Sequence, residues 1–150
     1  MKVYRITLSK FTSLKASGRA ARWNSRGVEM IYTSSTLSLA CLENIVHRKD
    51  RGLTASYRTI IIDIPDAVKK ELIKVSELPE KWYEFDNDAY EKCSLVGDEW
   101  INNGSSAVLQ VPSAIIKTEF NYLINPNHPD FKRVKIVSIE PFSFDPRVNK

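Results

Sequence analysis

Residues 30–49, MIYTSSTLSLACLENIVHRK, hold two periodicities side by side. Met30–Thr33 is a short β-branched and aromatic run that predicts a strand. Ser34-Ser35-Thr36 supplies N-cap chemistry, and apolar residues then recur at helical spacing. That predicts a helix running to about Lys49 with Gly52 as its stop. Upstream, Val3–Leu8 reads as another strand, and downstream Tyr57–Ile64 is a β-branched run closed by Pro65. Asp66–Val75 predicts a short helix before the loop around Leu78-Pro79, and a longer helix should start near Asp86 to Asp88 and end at Asn102-Asn103-Gly104. Strands return at Ala107–Val111, Phe120–Ile124 and Val134–Phe144, the last two separated by Asn125-Pro126-Asn127-His128-Pro129. Strands mixed irregularly with helices, without internal repeats, argue for an α+β fold rather than a repeating βαβ one.

At 150 residues and 43% hydrophobic content, the chain is expected to fold as one domain, residues 1–150, around a core that needs no staples. No apolar run reaches the ~18 residues of a membrane span, and MKVYRITLSK enters strand pattern at once, without a secretory core. A cytoplasmic address is the expectation. Cys41 and Cys93 each fall inside a predicted helix and read as reduced core residues. The net charge of +4 is unevenly spread: the balance is +8 over residues 1–60, −6 over 61–106 and +2 over 107–150. A basic first third suits an anionic ligand such as a nucleotide phosphate, and nucleic acid fits the same sign.

Several chemistries find no support. The five glycines, at 18, 27, 52, 97 and 104, form neither G-x-G-x-x-G nor a P-loop. Two histidines and two cysteines show no metal-ligand spacing, so no metal is expected. His47 reads as a helix C-terminal residue favoured by the macrodipole, and a cysteine–histidine nucleophile pair, Cys41 or Cys93 with His128, is an alternative. What remains is carboxylate, arginine, tyrosine and hydroxyl chemistry. Glu43 shares a helix face with Leu39, Ala40, Val46 and His47, where a carboxylate needs a partner or a task. Arg5 lies mid-strand between Tyr4 and Ile6. Tyr32 ends a strand just before a helix N-terminus, and Ser113 follows Val111-Pro112 at a strand end, where a simple cap would also explain it.

The order of these residues and their flanks carries more than any one of them. Val3-Tyr4-Arg5-Ile6 is followed by Gly18, Arg22-Trp23-Asn24-Ser25-Arg26-Gly27, Ile31-Tyr32-Thr33-Ser34 and Leu39-Ala40-Cys41-Leu42-Glu43. Then come Leu78-Pro79 with Trp82, Gly97-Asp98 with Trp100, and Val111-Pro112-Ser113-Ala114. Asn121, Asn125-Pro126, His128-Pro129, Phe131, Pro141-Phe142, Phe144-Asp145 and Arg147 complete the series. Across essentially its whole length the chain resembles the RES-domain toxins, named for an arginine, a glutamate and a serine. One departure is Ala20-Ala21, where the family often has glycines.

The resemblance implies an ADP-ribosyltransferase-like fold of mixed sheets with packed helices. It also implies cleavage of NAD⁺ at the nicotinamide–ribose bond, by hydrolysis or phosphorolysis, with NAD⁺ as substrate and no prosthetic group. The residue types suit that chemistry. Ordinary glycoside hydrolysis uses two carboxyl groups, one to protonate the leaving oxygen. Nicotinamide leaves NAD⁺ as a neutral molecule and needs no general acid, so one carboxylate, Glu43, suffices to stabilise the oxocarbenium-like transition state. Matched to the family, Arg5 would clamp the pyrophosphate or nicotinamide ribose, with Arg22 as a second phosphate ligand. Tyr32 would stack on the nicotinamide, Ser113 would hydrogen-bond the ribose or amide, and Trp23 would belong to the core.

The resemblance further implies a cognate antitoxin with a helix-turn-helix DNA-binding region and a homodimer within the complex, with no membrane contact and no direct DNA contact by this chain. ADP-ribosylation of a protein by the same pocket is the alternative. A nucleic-acid-binding or RNA-cleaving toxin is the reading from another class, supported by aromatics interleaved with arginines at Tyr4, Arg5, Arg22 and Trp23.

Overall fold

The computed structural model describes residues 1–47 and 56–149. Seven strands join in one mixed sheet: β1 (Lys2–Leu8), β2 (Ile31–Ser34), β3 (Tyr57–Asp63), β4 (Lys70–Leu72), β5 (Val108–Pro112), β6 (Phe120–Ile124) and β7 (Lys135–Phe142). Their order across the sheet is β4-β5-β6-β2-β1-β3-β7. Neighbours run antiparallel except β4 and β5, which are parallel. Among the described residues there are two α-helices, α1 (Leu37–His47) and α2 (Asn87–Asn103). The α+β architecture expected from the sequence is the one the chain adopts.

Both helices begin on recognisable chemistry, and α2 also ends on it. Of the three hydroxyls before α1, Thr36 is the one that caps it, its Oγ1 accepting from the Leu39 N–H at 3.1 Å, while Ser34 still belongs to β2. The expected end near Lys49 and the Gly52 stop lie outside the described residues. Asp86 caps α2 by accepting from the Ala89 N–H at 2.7 Å. Gly104 closes that helix at φ 56°, a left-handed conformation that glycine adopts without a Cβ clash, and its N–H reaches the Trp100 carbonyl.

One expected element is absent. Asp66–Val75 is not a helix: the Val68 N–H closes a turn on the Pro65 carbonyl, and Lys70–Leu72 then runs as β4 beside β5. A 3-10 turn at Val75–Glu77 follows. Pairing along the open edge of β5 satisfies the backbone that the local pattern assigned to a helix, so tertiary context overrides propensity.

Three apolar clusters cover the two faces of the sheet. Val3, Ile31, Ile60, Ile62, Val108 and Ile124 pack on one side. On the other, α2 closes over Trp23, Met30, Trp82, Trp100, Leu109 and Leu123, and α1 closes over Ile6, Tyr57 and Phe144. Trp23 is a core residue, 3% exposed, as expected. At Gly97 of α2 the helix backbone lies close against the main chain of Trp23, leaving no room for a Cβ. Cys41 sits on α1 and Cys93 on α2, with no disulfide between them.

The sheet is loosely joined at its middle. β1 pairs with β3 along its whole length but meets β2 at a single register pair, Tyr4 with Ser34. The two halves therefore diverge beside α1, and the walls of that opening are where polar side chains collect.

Candidate active site

A cavity of about 1060 Å³ is lined by residues of β1, β2 and α1 and by the start of α2. Its volume is at the upper end of small-molecule sites. Arg5, Arg22, Tyr32 and Glu43 all line it.

Glu43 projects from α1, its side chain 21% exposed. Its Oε1 accepts from the Asn121 Nδ2 at 2.6 Å and from the Ser113 hydroxyl at 3.0 Å. The other oxygen, Oε2, lies 3.4 Å from His47 Nε2, one helical turn on. Burial alone would push the carboxyl pKa up; the hydrogen bonds from His47, Asn121 and Ser113 outweigh it and hold the group below the ordinary glutamate value. Glu43 is thus an anion at neutral pH, and the stability it adds is present above the ordinary glutamate pKa and lost as the pH falls through its lower folded-state value. The puzzle of a carboxylate on an apolar stripe is resolved by these donors. Val46, reckoned part of that stripe, is half-exposed and lines the cavity instead.

Arg5 reaches the same cavity from β1. Among the described residues it makes one long hydrogen bond, Nη1 to the Lys15 carbonyl at 3.5 Å, and no carboxylate forms an ion pair with it. Burial lowers its pKa from the ordinary arginine value. A guanidinium in this position is costly without an anion, which makes it a strong candidate for binding one.

Tyr32, from β2, donates its hydroxyl to Asn24 Oδ1 at 2.6 Å and accepts from the Trp23 N–H at 3.1 Å. Burial, more than any other cause, drives its pKa well above the usual phenol value, so the ring is neutral. Asn24 in turn donates from Nδ2 to the carbonyls of Arg19, Ser25 and Val28, bracing the connection that carries Arg22. Arg22 stands at the cavity with its guanidinium already engaged: it donates to the carbonyls of Trp82 and Glu84 and lies 4.4 Å from the centroid of the Tyr90 ring. In this arrangement it ties the 82–84 segment to the site as well as presenting positive charge.

Ser113 departs from expectation. It does follow β5 directly, but it is fully buried and does not line the cavity. Its oxygen accepts from the N–H groups of Ile115 and Ile116, leaving its single O–H for Glu43. A direct hydrogen bond from Ser113 to the ribose or amide is therefore replaced by one to the carboxylate, while its oxygen also caps the turn through Ile115 and Ile116.

Two neighbours of Glu43 were not singled out as site residues from the sequence. Asn121 was visible only as one residue of the motif series, although an asparagine inside the strand FNYLI disfavours a β conformation and signals a polar task. His47 was assigned to the helix terminus alone. Of the cysteine–histidine alternative, the Cys93 thiol lies buried against the Trp82 carbonyl, and His128 caps a 3-10 turn through Nδ1. Among the described residues no cluster of histidine, cysteine, aspartate and glutamate could hold a metal ion, and no helix is long and apolar enough to cross a membrane.

Comparison with known proteins shows what the chain as a whole is similar to. The RES domain family model matches residues 2–145. The chain is 37% identical over 130 residues to the "Prs ADP-ribosylating toxin" of Sphingobium sp. strain YBL2, covering 85% of this chain and 79% of that one. It is 34% identical to the "Toxin Res" of Yersinia enterocolitica, with 99% of each chain covered. Among solved structures, the M. tuberculosis MbcT-MbcA toxin-antitoxin complex contains a chain that matches with a TM-score of 0.77 at 18% identity, covering 95% of this chain and 84% of that one, a likeness of fold.

Proposed function

This chain belongs to the RES-domain family, and we propose that it is the toxin of a toxin–antitoxin pair that acts by cleaving the nicotinamide–ribose bond of NAD⁺. The observation that carries the reading is the Glu43 carboxylate: ionised, held by three donors, and set in one cavity with an arginine that has no carboxylate partner among the described residues.

In the proposed reaction the C1″–N bond breaks and its electron pair leaves with neutral nicotinamide. Positive charge develops on the ribose, and Glu43 stabilises it. Water or phosphate adds to C1″ and loses a proton, giving ADP-ribose or its 1″-phosphate. Arg5 clamps the pyrophosphate, Tyr32 stacks on the nicotinamide, and Arg22 adds positive charge, sharing its guanidinium between phosphate and the carbonyls it already holds. Ser113 acts through Glu43. The basic first third of the chain is accounted for in part by Arg5, Arg19 and Arg22 around this cavity.

Transfer of ADP-ribose to a protein is the second reading, favoured by the name of the Sphingobium relative, an ADP-ribosylating toxin. Both readings share the bond that breaks and differ in the acceptor. The partner is proposed to be an antitoxin with a helix-turn-helix DNA-binding region, inside a complex where this chain is a homodimer; the MbcT-MbcA likeness supports a toxin–antitoxin assembly. An address in the cytoplasm, where NAD⁺ is abundant, follows from the same proposal.

Purified protein incubated with NAD⁺ decides between them. Release of nicotinamide with an equal amount of free ADP-ribose, or of its phosphate when inorganic phosphate is present, is the expected result. Nicotinamide release with ADP-ribose left on a protein acceptor would move the second reading to the front. No nicotinamide under any of these conditions would overturn both.

A further inference from the structure

The carboxylate of Glu43 is held by donors that are themselves held. Asn121, on β6, gives its Nδ2 to Glu43 Oε1 at 2.6 Å while its own Oδ1 accepts from the Ser34 hydroxyl at 2.7 Å. Ser34 and Asn121 are register partners across β2 and β6, so the backbone fixes both side chains on one face. An asparagine amide can turn over and exchange its oxygen for its nitrogen. Here the acceptor-only carboxylate selects one orientation, because the flipped amide would present Oδ1 to a carboxylate oxygen, and the Ser34 hydroxyl holds that orientation by donating to Oδ1. Ser113 is committed in the same sense by the N–H groups of Ile115 and Ile116. The two donors converge on Oε1 and leave Oε2 with His47 alone at 3.4 Å.

We propose that Asn121, oriented by Ser34, is a positioning residue that saturates Glu43 Oε1 and turns Oε2 toward the substrate as the oxygen that meets the ribose. The last part rests on the function proposed above; the orienting chain itself does not. Ser34 is 4% exposed in the cavity wall, and its hydroxyl proton is committed to Asn121 Oδ1, so its effect on Glu43 runs through Asn121. The ionisable groups that line the cavity with that carboxylate are His47 on its own helix, Tyr4 and Arg5 on β1, Arg19 and Arg22 in the connection after it, Tyr32 on β2, Tyr57 on β3, and Tyr83, Asp86 and Tyr90 at or before the start of α2. None of them touches Oε1, which makes the Asn121 effect separable from theirs.

The test is a titration of Glu43 by carboxyl carbon NMR, with the pH profile of nicotinamide release recorded alongside, in the wild type, Asn121→Ala and Ser34→Ala. Loss of the Asn121 donor should move the Glu43 midpoint to higher pH. It should also lower kcat/KM on the acid side by roughly tenfold or more, the worth of a hydrogen bond to a charged group, with partial recovery as the pH rises. Ser34→Ala should move the midpoint the same way by less. It keeps the question open to refutation should Asn121→Ala fail to fold. A Glu43 midpoint unmoved in both variants, or a uniform loss of activity across pH, would overturn the proposal. Because the titration needs no turnover, a wild type that releases no nicotinamide would sink the functional reading and still leave the positioning of Glu43 judged.

Discussion

Glu43→Gln should release nicotinamide at least ~10²–10³-fold more slowly than the wild type, the loss seen when one preorganised electrostatic contact to a transition state is removed. Its thermal midpoint should stay close to wild type. Glutamine keeps the shape of the side chain, and its amide oxygen can go on accepting from Asn121 and Ser113, which both donate to Oε1 in the native site. The amide nitrogen then faces His47 in place of Oε2, a contact that the imidazole meets by accepting instead of donating. What is lost is the charge alone. Glu43→Ala is a harsher change, since it leaves the buried hydroxyl of Ser113 without its acceptor. Steady-state kinetics and a melting curve on the same Glu43→Gln preparation separate the two roles. Wild-type turnover would remove Glu43 from the mechanism, and a collapse of the melting temperature would make it a structural residue.

Gly97→Ala should be the most damaging single methyl group in the described core. A Cβ built there lies 1.8 Å from the Trp23 carbonyl oxygen and 2.8 Å from its carbon, and 3.3 Å from the Met30 side chain. The first two neighbours are main chain and cannot rotate away, so α2 has to lift from the Trp23 segment. Overpacking typically costs ~1–3 kcal/mol, and a backbone clash this close belongs at or above the top of that range. In a domain of this size, ~3 kcal/mol corresponds to a melting temperature roughly 6–12 °C lower. The damage should spread to function, because the Trp23 N–H and Asn24 hold the Tyr32 hydroxyl in place. A thermal melt of Gly97→Ala within about 2 °C of wild type would show that α2 and residue 23 are not packed as described.

Much of this architecture was legible because its signals are local. The β-branched run at residues 57–64 became β3, Phe120–Ile124 became β6 as read, and Asp86 and Gly104 bound α2 through side-chain and main-chain chemistry available within a few residues. β4 was missed for the opposite reason: three residues pair with β5 some 38 positions away, and nothing nearby announces it. The site shows the same division. A carboxylate on the buried face of a helix and an arginine inside a strand break local rules, so Glu43 and Arg5 stood out. Their consequences depend on partners that only folding supplies. Asn121 meets Glu43 across 78 positions and Ser113 meets it across 70. Whether Ser113 faces a ligand or the carboxylate turns on two N–H groups that occupy its oxygen, a matter of side-chain direction with no trace in spacing. The same holds for Arg22, whose charge was visible and whose two carbonyl partners were not.

The central claim is that the chain consumes NAD⁺, and cellular NAD⁺ after brief induction without an antitoxin tests it most directly. Wild-type protein should drive NAD⁺ down before growth slows, while Glu43→Gln expressed to the same level should leave both unchanged. Growth arrest by the wild type with NAD⁺ steady at its starting level would contradict the account.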